Sequence, residues 1–462
     1  MTLSFKSLLV ANRGEIAVRV IRAAKELGIR TIAVYSDADK DSLHVRMADY
    51  AVEIGPYPAA KSYLNVEAIL AAAKTSGADA VHPGYGFLSE NAAFADAVRA
   101  AGLVFVGPSG EAIRSMGDKA SARQAAMNAG VPVVPGSDGL VADLDAARQE
   151  AARIGYPVMI KATAGGGGRG IRVCGDEAAL VQQWPMAQAE AKAAFGNGAA
   201  YLERFIGRAR HIEVQILGDG KRAIHLFERE CSLQRRRQKV WEEAPSPSLS
   251  EATRQELCAS AVRLAEAVGY SGAGTLEYLY DETTGEFFFI EMNTRIQVEH
   301  PITEAITGVD LVREMLLIAG GTPLRLEQAD VSFSGAAIEV RLCAEDPAKN
   351  FFPKVGRVAE LTWPGGPGVR VDSMLYPGYN VSPYYDSLLA KLIVHAENRP
   401  AAIERLRRAL GEIKLCGLTT TAILHAALAE DEQVRRGDYH TGFLEPWLVE
   451  NASKLVAEPE GV

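Results

Sequence analysis

Cysteine is scarce in this sequence, and its spacing fits neither a zinc site nor a disulfide framework. The chain of 462 residues has five cysteines, widely separated and without a Cys-x-x-Cys pair. We expect most of them to be buried as small apolar side chains in a reducing, cytoplasmic setting. They are Cys174, Cys231, Cys258, Cys343 and Cys416.

Other absences exclude several classes of protein. No apolar run is long enough to cross a bilayer, so neither a transmembrane helix nor a membrane partner is expected. The first predicted strand is not followed by Gly-x-Gly-x-x-Gly, and Gly-x-x-x-x-Gly-Lys-Ser/Thr is missing, which argues against an NAD site and a P-loop. The net charge is 49 − 58 = −9, which argues against a nucleic-acid partner.

Strand and helix patterns alternate in the N-terminal part of the chain. This alternation predicts a doubly wound parallel sheet, which binds ligands at the carboxyl ends of its strands. The turns at 11–15 and 82–86 would then lie at a site. Strands are predicted at Ser7–Ala11, Thr31–Tyr35, Ala80–His82 and Val104–Val106, and helices at Glu15–Leu27, Val66–Lys74, Asn91–Ala101 and Asp118–Gly130.

The pattern of predicted secondary structure changes twice in the rest of the chain. The Pro-rich turn near residue 132 predicts a hinge before a small α/β unit, and antiparallel strands with Gly/Pro turns follow residue 330. Two helices, Ala401–Leu410 and Thr419–Ala429, are expected to close the fold. The predicted fold class is α/β, or α+β for the chain as a whole. The predicted divisions are an N-terminal domain at 1–118, a second part at 119–204 that includes a lid at 134–204, a core at 205–330, a C-terminal domain at 331–448 and a tail at 449–462.

A predicted hairpin carries a candidate metal site. Gly274–Tyr280 and Phe287–Asn293 are its strands, and a turn centred on Thr284 places Glu277 opposite Glu291. Facing like charges destabilise a strand pair unless a cation lies between them. Asn293 shares the face of Glu291, and such oxygen ligands favour magnesium or manganese.

Polar residues continue at odd positions beyond that hairpin, through Arg295 and Gln297 to Glu299. Eight extended steps span about 26 Å, so Glu291 and Glu299 cannot share one ion in a straight strand. Either the chain bends after Asn293, or the face carries a metal subsite and an adjoining anion subsite. We favour two subsites.

Two further segments indicate phosphate or anion binding. Lys161 leads into Gly165–Gly168, a glycine run between two predicted strands that favours a mobile hairpin lid over a nucleotide rather than a linker. The basic run from Glu228 to Val240 is short and flanked by acids, which favours a site for phosphate and a small carboxylate-like anion over a nucleic-acid surface.

Several motifs together resemble biotin carboxylase, a family of the ATP-grasp superfamily, over 9–448. They are Val10–Ile16, His82–Glu90, Met116–Lys119, Lys161–Gly170, Gln238-Lys239 and Glu291–His300. The resemblance implies an N-terminal doubly wound domain, a lid and an ATP-grasp domain. It also implies that ATP phosphorylates bicarbonate to carboxyphosphate, which supplies carbon dioxide to N1′ of biotin.

The resemblance also implies site residues. Glu299 would be the base that deprotonates bicarbonate, and Arg341 would stabilise the biotin enolate beside Tyr85. ATP would be bound by Lys119, Lys161, Gly166, Gly167, Gly168, Glu203, Arg204, His211, Gln234, Arg237 and Leu279; magnesium by Glu277, Glu291 and Asn293; and bicarbonate by Lys239, Arg295, Gln297, Val298 and Glu299. Arg204 and Arg237 stand where the family usually has other residues.

The resemblance implies partners as well. A biotin carboxyl carrier protein and a carboxyltransferase are expected on separate chains, as in an acetyl-CoA carboxylase-type complex of fatty acid biosynthesis. Arg22 and Glu26 match positions of a homodimer contact. Two alternatives are another ATP-grasp ligase that joins a carboxylate to an amine, and a non-catalytic assembly subunit. The joint presence of five residues favours biotin carboxylation: Lys239, Arg295, Gln297, Glu299 and Arg341.

Overall fold

The computed structural model describes residues 3–162, 171–195 and 200–456. Its N-terminal unit is the predicted parallel sheet, in the order β3-β2-β1-β4-β5. Strand β3 was not predicted, and several other bounds differ from the prediction by a few residues. The elements are β1 (Ser7–Val10), α1 (Gly14–Glu26), β2 (Arg30–Tyr35), α2 (Leu43–Met47), β3 (Tyr50–Glu53), α3 (Val66–Ser76), β4 (Ala80–His82), α4 (Ala92–Ala100), β5 (Val104–Phe105), α5 (Gly110–Gly117) and α6 (Lys119–Asn128).

The two predicted turns meet at the carboxyl ends of β1 and β4, the neighbouring strands at the centre of this sheet. The Asn12 side chain joins them, because its Nδ2 donates hydrogen bonds to the carbonyl oxygens of Pro83 and Tyr85, each at 2.7 Å. Gly84 has a φ of +64°, and a Cβ there would lie 2.7 Å from Asn12 Nδ2. Glycine is therefore required for this close approach.

A small antiparallel sheet follows, in the order β7-β6-β8. Its core includes Ile160, Trp184 and Leu202. The glycine run predicted to form a lid over a nucleotide lies outside the described residues. The elements here are α7 (Leu144–Ile154), β6 (Val158–Ala162), β7 (Ile171–Cys174), α8 (Glu177–Phe195) and β8 (Ala200–Arg204).

An antiparallel sheet of eight strands dominates the remainder, in the order β13-β12-β9-β10-β11-β14-β21-β19. Strands β11 and β14 pair across the predicted boundary at residue 330, so one sheet continues through both parts. The elements are β9 (Ala209–Asp219), β10 (Ala223–Arg235), β11 (Gln238–Ala244), α9 (Glu251–Ala267), β12 (Ser271–Asp281), β13 (Phe287–Asn293), α10 (His300–Thr307), α11 (Leu311–Ala319), β14 (Ala336–Cys343), β15 (Glu345–Asp346), β16 (Phe352–Pro353), β17 (Gly356–Arg357), β18 (Glu360–Thr362), β19 (Val369–Ser373), β20 (Asn380–Val381), β21 (Leu388–Ala396), α12 (Arg399–Glu412), β22 (Lys414–Cys416), α13 (Ala422–Glu430), α14 (Glu432–Arg436) and α15 (Leu444–Glu450).

One apolar core joins the N-terminal unit to the large sheet. Leu8 and Ile16 belong to the same buried cluster as Leu217 of β9 and Leu311 of α11. Burial of apolar surface at this junction holds the turns after β1 and β4 against the sheet. Within the described ranges, no helix is long and apolar enough to cross a membrane.

Candidate active site

A cleft of about 840 Å³ opens between the two turns of the N-terminal unit and the large sheet. Its walls bring together all of the residues predicted for metal, bicarbonate and biotin, with two of those predicted for ATP, although these are widely separated in the sequence. The predicted residues that line the cleft are Tyr85, His211, Arg237, Lys239, Glu277, Glu291, Asn293, Arg295, Gln297, Val298, Glu299 and Arg341.

A row of charged residues crosses four neighbouring strands on the floor of the cleft. Glu277 lies opposite Glu291, as predicted, and also opposite Glu213 of β9, which in turn faces Arg229 of β10. Arg229 Nε donates to Glu213 Oε1 at 2.6 Å, so the charge of the Glu213 carboxylate is neutralised by this arginine. The other two glutamates present oxygen ligands toward the cleft.

The residues predicted to bind metal fit a hard divalent cation. Asn293 Nδ2 donates to Glu277 Oε1 at 3.0 Å, and Glu291, on the same strand as Asn293, also lines the cleft. Burial and the neighbouring charge of Glu277 raise the pKa of Glu291 above its ordinary value. A magnesium ion between these oxygens would relieve that repulsion.

Lys239 joins the floor of the cleft to its far wall. Its Nζ donates to Glu213, to Glu277 Oε1 at 2.9 Å and to Glu299 Oε1 at 2.7 Å. Burial lowers the pKa of Lys239, but these three carboxylates outweigh burial and raise it well above the ordinary lysine value. The ammonium group therefore stays charged, with three carboxylates as its partners.

The chain bends after Asn293, which corrects the expectation of two subsites along a straight strand. Strand β13 ends at Asn293, and a turn brings Gln297 Nε2 to 2.9 Å from Glu277 Oε1. Glu299 then lies at the N-terminus of α10 and reaches Lys239. The predicted metal and bicarbonate residues thus share one cleft, since Lys239 contacts both groups.

Arg295 is held by the N-terminal unit as well as by the bend. Its Nε donates to Glu90 Oε2 at 2.9 Å, and its Nη2 donates to Asn293 Oδ1 at 3.1 Å. Glu90 ends the motif that begins at His82, so that motif helps to orient a predicted bicarbonate ligand.

Arg341 lies between two carboxylates on the wall opposite the metal residues. Its Nη2 is 2.6 Å from Glu242 Oε1 and donates to Glu299 Oε2 at 3.1 Å. Burial raises the pKa of Glu299, but Lys239, Arg341 and Arg229 together hold it well below its ordinary value. Glu299 is therefore ionised at neutral pH.

Tyr85 is anchored below the cleft by a buried ion pair. Its hydroxyl donates to Glu15 Oε1, and Lys391 Nζ lies 3.2 Å from the same oxygen. Lys391 also donates to the carbonyl oxygen of Val298 at 2.7 Å. This network fixes the predicted biotin contact relative to the bicarbonate residues.

Several residues predicted to bind ATP lie beside the cleft lining rather than in it. Lys161 pairs with Glu203 on neighbouring strands β6 and β8, and Arg204 Nη1 donates to Glu286 at 2.9 Å. Gln234 contacts His211 Nδ1 at 3.0 Å, and Leu279 packs in an apolar cluster near Ile206. Lys119 begins α6. Gly166, Gly167 and Gly168 lie outside the described residues.

The sequence analysis assigned no site role to Glu213, Arg229 or Glu242, and interpreted the whole basic run as a site for phosphate and a small anion. Arg229 is instead fully buried, and Arg235 stacks over Phe351 with its Cζ 3.8 Å from the ring centre. Alternation along β9, with His211, Glu213 and Gln215 on one face, was the available signal for Glu213. Its pairing with Glu277 depends on a register that the sequence does not display.

Family models cover most of the chain. The N-terminal domain of biotin carboxylase matches residues 4–113, the ATP-binding domain of the carbamoyl-phosphate synthase L chain matches 118–327, and the C-terminal domain of biotin carboxylase matches 339–446. Biotin carboxylase 1 of Bacillus subtilis is 53% identical over 445 residues, covering 96% of this chain and 99% of its own. The chain belongs to the biotin carboxylase family.

Solved structures of the family share the fold. The biotin carboxylase domain of a thermophilic 2-oxoglutarate carboxylase, bound to bicarbonate, has a TM-score of 0.91 at 47% identity, covering 97% of this chain and 99% of that one. A dimer of the Hydrogenobacter thermophilus domain with MgADP, ADP and bicarbonate has a TM-score of 0.86 at 47% identity, covering 99% and 100%.

These findings confirm the predicted fold class and biotin carboxylation by an ATP-grasp ligase. The family uses ATP, magnesium and bicarbonate, as predicted, and the ligands of the two solved relatives agree with that set. Biotin carboxylation is thereby favoured over the alternative of a carboxylate–amine ligase. The roles of the individual residues remain predictions.

Proposed function

We propose that this cleft carboxylates N1′ of biotin with ATP, magnesium and bicarbonate, and that Glu299 is the base that deprotonates bicarbonate. The observation that carries this proposal is the position of Glu299, buried at 2% exposure between Lys239 and Arg341. The two cations are suited to bind an anionic substrate, and the ionised carboxylate between them can accept the proton of that substrate.

Bicarbonate binding would change the basicity of Glu299. An anion that takes hydrogen bonds from Lys239, Arg295 and Gln297 draws the lysine away from Glu299. Because Lys239 is the strongest charge that holds the pKa of Glu299 down, its loss raises that pKa. A bicarbonate oxygen then attacks the γ-phosphorus of ATP, ADP leaves, and the proton passes to Glu299.

Other residues would bind the nucleotide and its metal. We assign Lys119, Lys161 and His211 to phosphate or ribose, and Glu203, Arg204, Gln234, Arg237 and Leu279 to the adenosine part, with the glycine run at 166–168 over the phosphates. Glu277, Glu291 and Asn293 would hold magnesium, which compensates the phosphate charge.

Biotin would then take up carbon dioxide released from carboxyphosphate. N1′ attacks the carbon dioxide, and its proton goes to the departing phosphate. Arg341 would stabilise the negative charge that develops on the ureido oxygen, since a buried guanidinium acts strongly in a site from which water is excluded. Tyr85 would contact the ring.

We also propose a biotin carboxyl carrier protein and a carboxyltransferase as partners, and a homodimer as the assembly. A second cleft includes Arg22 and Glu26 of α1 next to Asp310 and Arg370. Alternating charges of this kind can pair with a second copy of the same surface.

The proposal is tested by measuring ATP hydrolysis by the purified chain with magnesium, with and without bicarbonate and free biotin. We expect bicarbonate-dependent hydrolysis that biotin stimulates, and a loss of about 10²- to 10⁴-fold in Glu299→Gln, since a positioned base contributes that much.

The matched control is Glu345→Gln, a glutamate at the rim of the same cleft whose carboxylate accepts a hydrogen bond from Ser387 at 2.7 Å. This variant should retain most of the activity. Hydrolysis that needs neither bicarbonate nor biotin, or a Glu299→Gln variant as active as the unaltered chain, would contradict the assignment.

A further inference from the structure

Two buried glutamates near Arg341 face each other across a strand pair. Glu242 of β11 lies directly opposite Glu339 of β14, and both are 0% exposed. Directly opposed residues of an antiparallel pair have Cβ atoms about 4.5–5.5 Å apart. Two ionised carboxylates at that distance in a buried site repel each other strongly.

The hydrogen bonds of the pair are unequal. Glu242 Oε1 accepts from Arg341 Nε at 2.7 Å, whereas Glu242 Oε2 and both carboxylate oxygens of Glu339 have no hydrogen-bond partner within the described part of the chain. Buried carboxylates normally fill such positions with donors. Three unfilled oxygens on two facing carboxyl groups indicate that at least one proton resides there.

The charges around the pair do not remove this repulsion. Arg341 on β14, Lys391 on β21 and Lys239 on β11 are the cations that act on it, and Glu299 adds a further negative charge. Lys391 already donates to the Val298 carbonyl. Burial is the largest cause that raises the pKa of Glu242 to about 7, and it raises that of Glu339 well above its ordinary value.

We propose that Glu242 and Glu339 share protons between β11 and β14, two when both carboxyl groups are neutral and one when Glu242 ionises, and that this pair acts as the positioning device of Arg341 in biotin carboxylation. The carbonyl oxygen of a protonated Glu242 still accepts the hydrogen bond from Arg341, so the guanidinium remains directed into the cleft. Its positive charge, however, is not cancelled from behind. The inference rests on the proposed function, because it assigns Arg341 to biotin.

The proton therefore decides how much charge Arg341 offers to biotin and to Glu299. When Glu242 is protonated, Arg341 is compensated by Glu299 alone. When Glu242 ionises, two carboxylates compete for one guanidinium, and the ureido oxygen of biotin receives less stabilisation. The biotin-dependent step should accordingly weaken as Glu242 loses its proton, whereas phosphorylation of bicarbonate should respond less.

The test is the ratio of biotin-stimulated to biotin-independent ATP hydrolysis, both with bicarbonate, measured over a pH series. In the unaltered chain this ratio should fall as the pH rises through about 7. In Glu242→Gln, whose side chain is neutral at every pH but still accepts from Arg341, the fall should disappear. In Glu242→Ala, the KM for biotin should rise about tenfold or more, because the guanidinium loses its orientation.

Glu243→Gln is the matched control. Glu243 is the next residue of β11, equally buried, and its carboxylate accepts from Arg399 and Tyr439 on the opposite face. This variant can lower stability but should keep the pH dependence of the ratio. The inference is overturned if Glu242→Gln follows the same fall as the unaltered chain, or if Glu243→Gln abolishes that fall.

Infrared difference spectroscopy gives a readout that does not need activity. The unaltered chain should show the carbonyl band of a protonated carboxyl group near neutral pH, and Glu339→Gln should remove that band or shift the pH at which it disappears. An identical spectrum in both proteins would overturn proton sharing. Absence of biotin stimulation in the unaltered chain would instead remove the proposed function, and with it the role assigned to Arg341.

Discussion

Arg229 shows how one buried side chain can hold several parts of an active site together. Its guanidinium donates to five side-chain oxygens, on Glu213, Gln215, Thr275, Gln297 and Thr303. These belong to β9, β12, the bend before α10, and α10 itself. A planar group with five fixed donors can satisfy such a set, whereas an ammonium group cannot.

Arg229→Lys should therefore strongly lower the stability of the protein, although lysine keeps the positive charge. We expect the free energy of unfolding to fall by about 3–5 kcal/mol, because Glu213 and the surrounding polar atoms lose their partners in a buried site. Denaturant unfolding measures this. Arg263→Lys, at an exposed ion pair with Glu256, should change stability by less than about 1 kcal/mol. Equal stability of both variants would argue against this role.

At the scale of elements, the Asn12 side chain couples the two turns of the parallel sheet. Asn12 connects the turn after β1 to the turn after β4, and Gly84 leaves room for its amide. Tyr85 follows directly. The position of a predicted biotin contact thus depends on a backbone that only glycine permits.

Gly84→Ala should raise the KM for biotin and lower stability, because the new Cβ collides with Asn12 and displaces Tyr85. Gly77→Ala is a matched control, since Gly77 has nearly the same φ of +65° with no atom within 4 Å of the added Cβ. Both variants should lose about 1–2 kcal/mol from the left-handed backbone alone. Only Gly84→Ala should alter biotin kinetics, and equal kinetics in the two would contradict the coupling.

Local patterns predicted individual elements better than their connections. The Glu277–Glu291 pair was predictable because a short turn sets the register of a hairpin, and the structure confirms it. The bend after Asn293 was not, since Ile296 and Val298 continue the alternation of a strand. The site roles of Glu213 and Glu242 were not predicted, because their strand partners come from distant segments and the sequence does not reveal which strands pair.

At the scale of the whole molecule, the second cleft is the surface that the proposed homodimer would use. Helix α1 exposes Arg22 and Glu26, four residues apart on one face, beside the groups that pair with Arg19. In a two-fold dimer each residue would meet its opposite charge on the partner.

Arg22→Glu should dissociate the proposed homodimer, because it would place like charges across the interface. The double variant Arg22→Glu/Glu26→Arg should restore association, since it exchanges the two charges. Sedimentation velocity measures the association of both variants. The control is Lys74→Glu, on the exposed face of α3, which should leave association unaltered. A monomeric unaltered chain, or a double variant that stays dissociated, would refute this surface.

The pairing of β11 with β14 has a consequence for synthesis of the chain. When the ribosome has made β11, the strand that must cover its outer edge has not yet been translated. The nascent chain therefore carries an open strand edge that bears Glu242, the glutamate behind the future active site. Open edges invite pairing with other chains. The cleft can form only after β14 has been made, and until then the exposed edge of β11 is a place where the growing chain can aggregate.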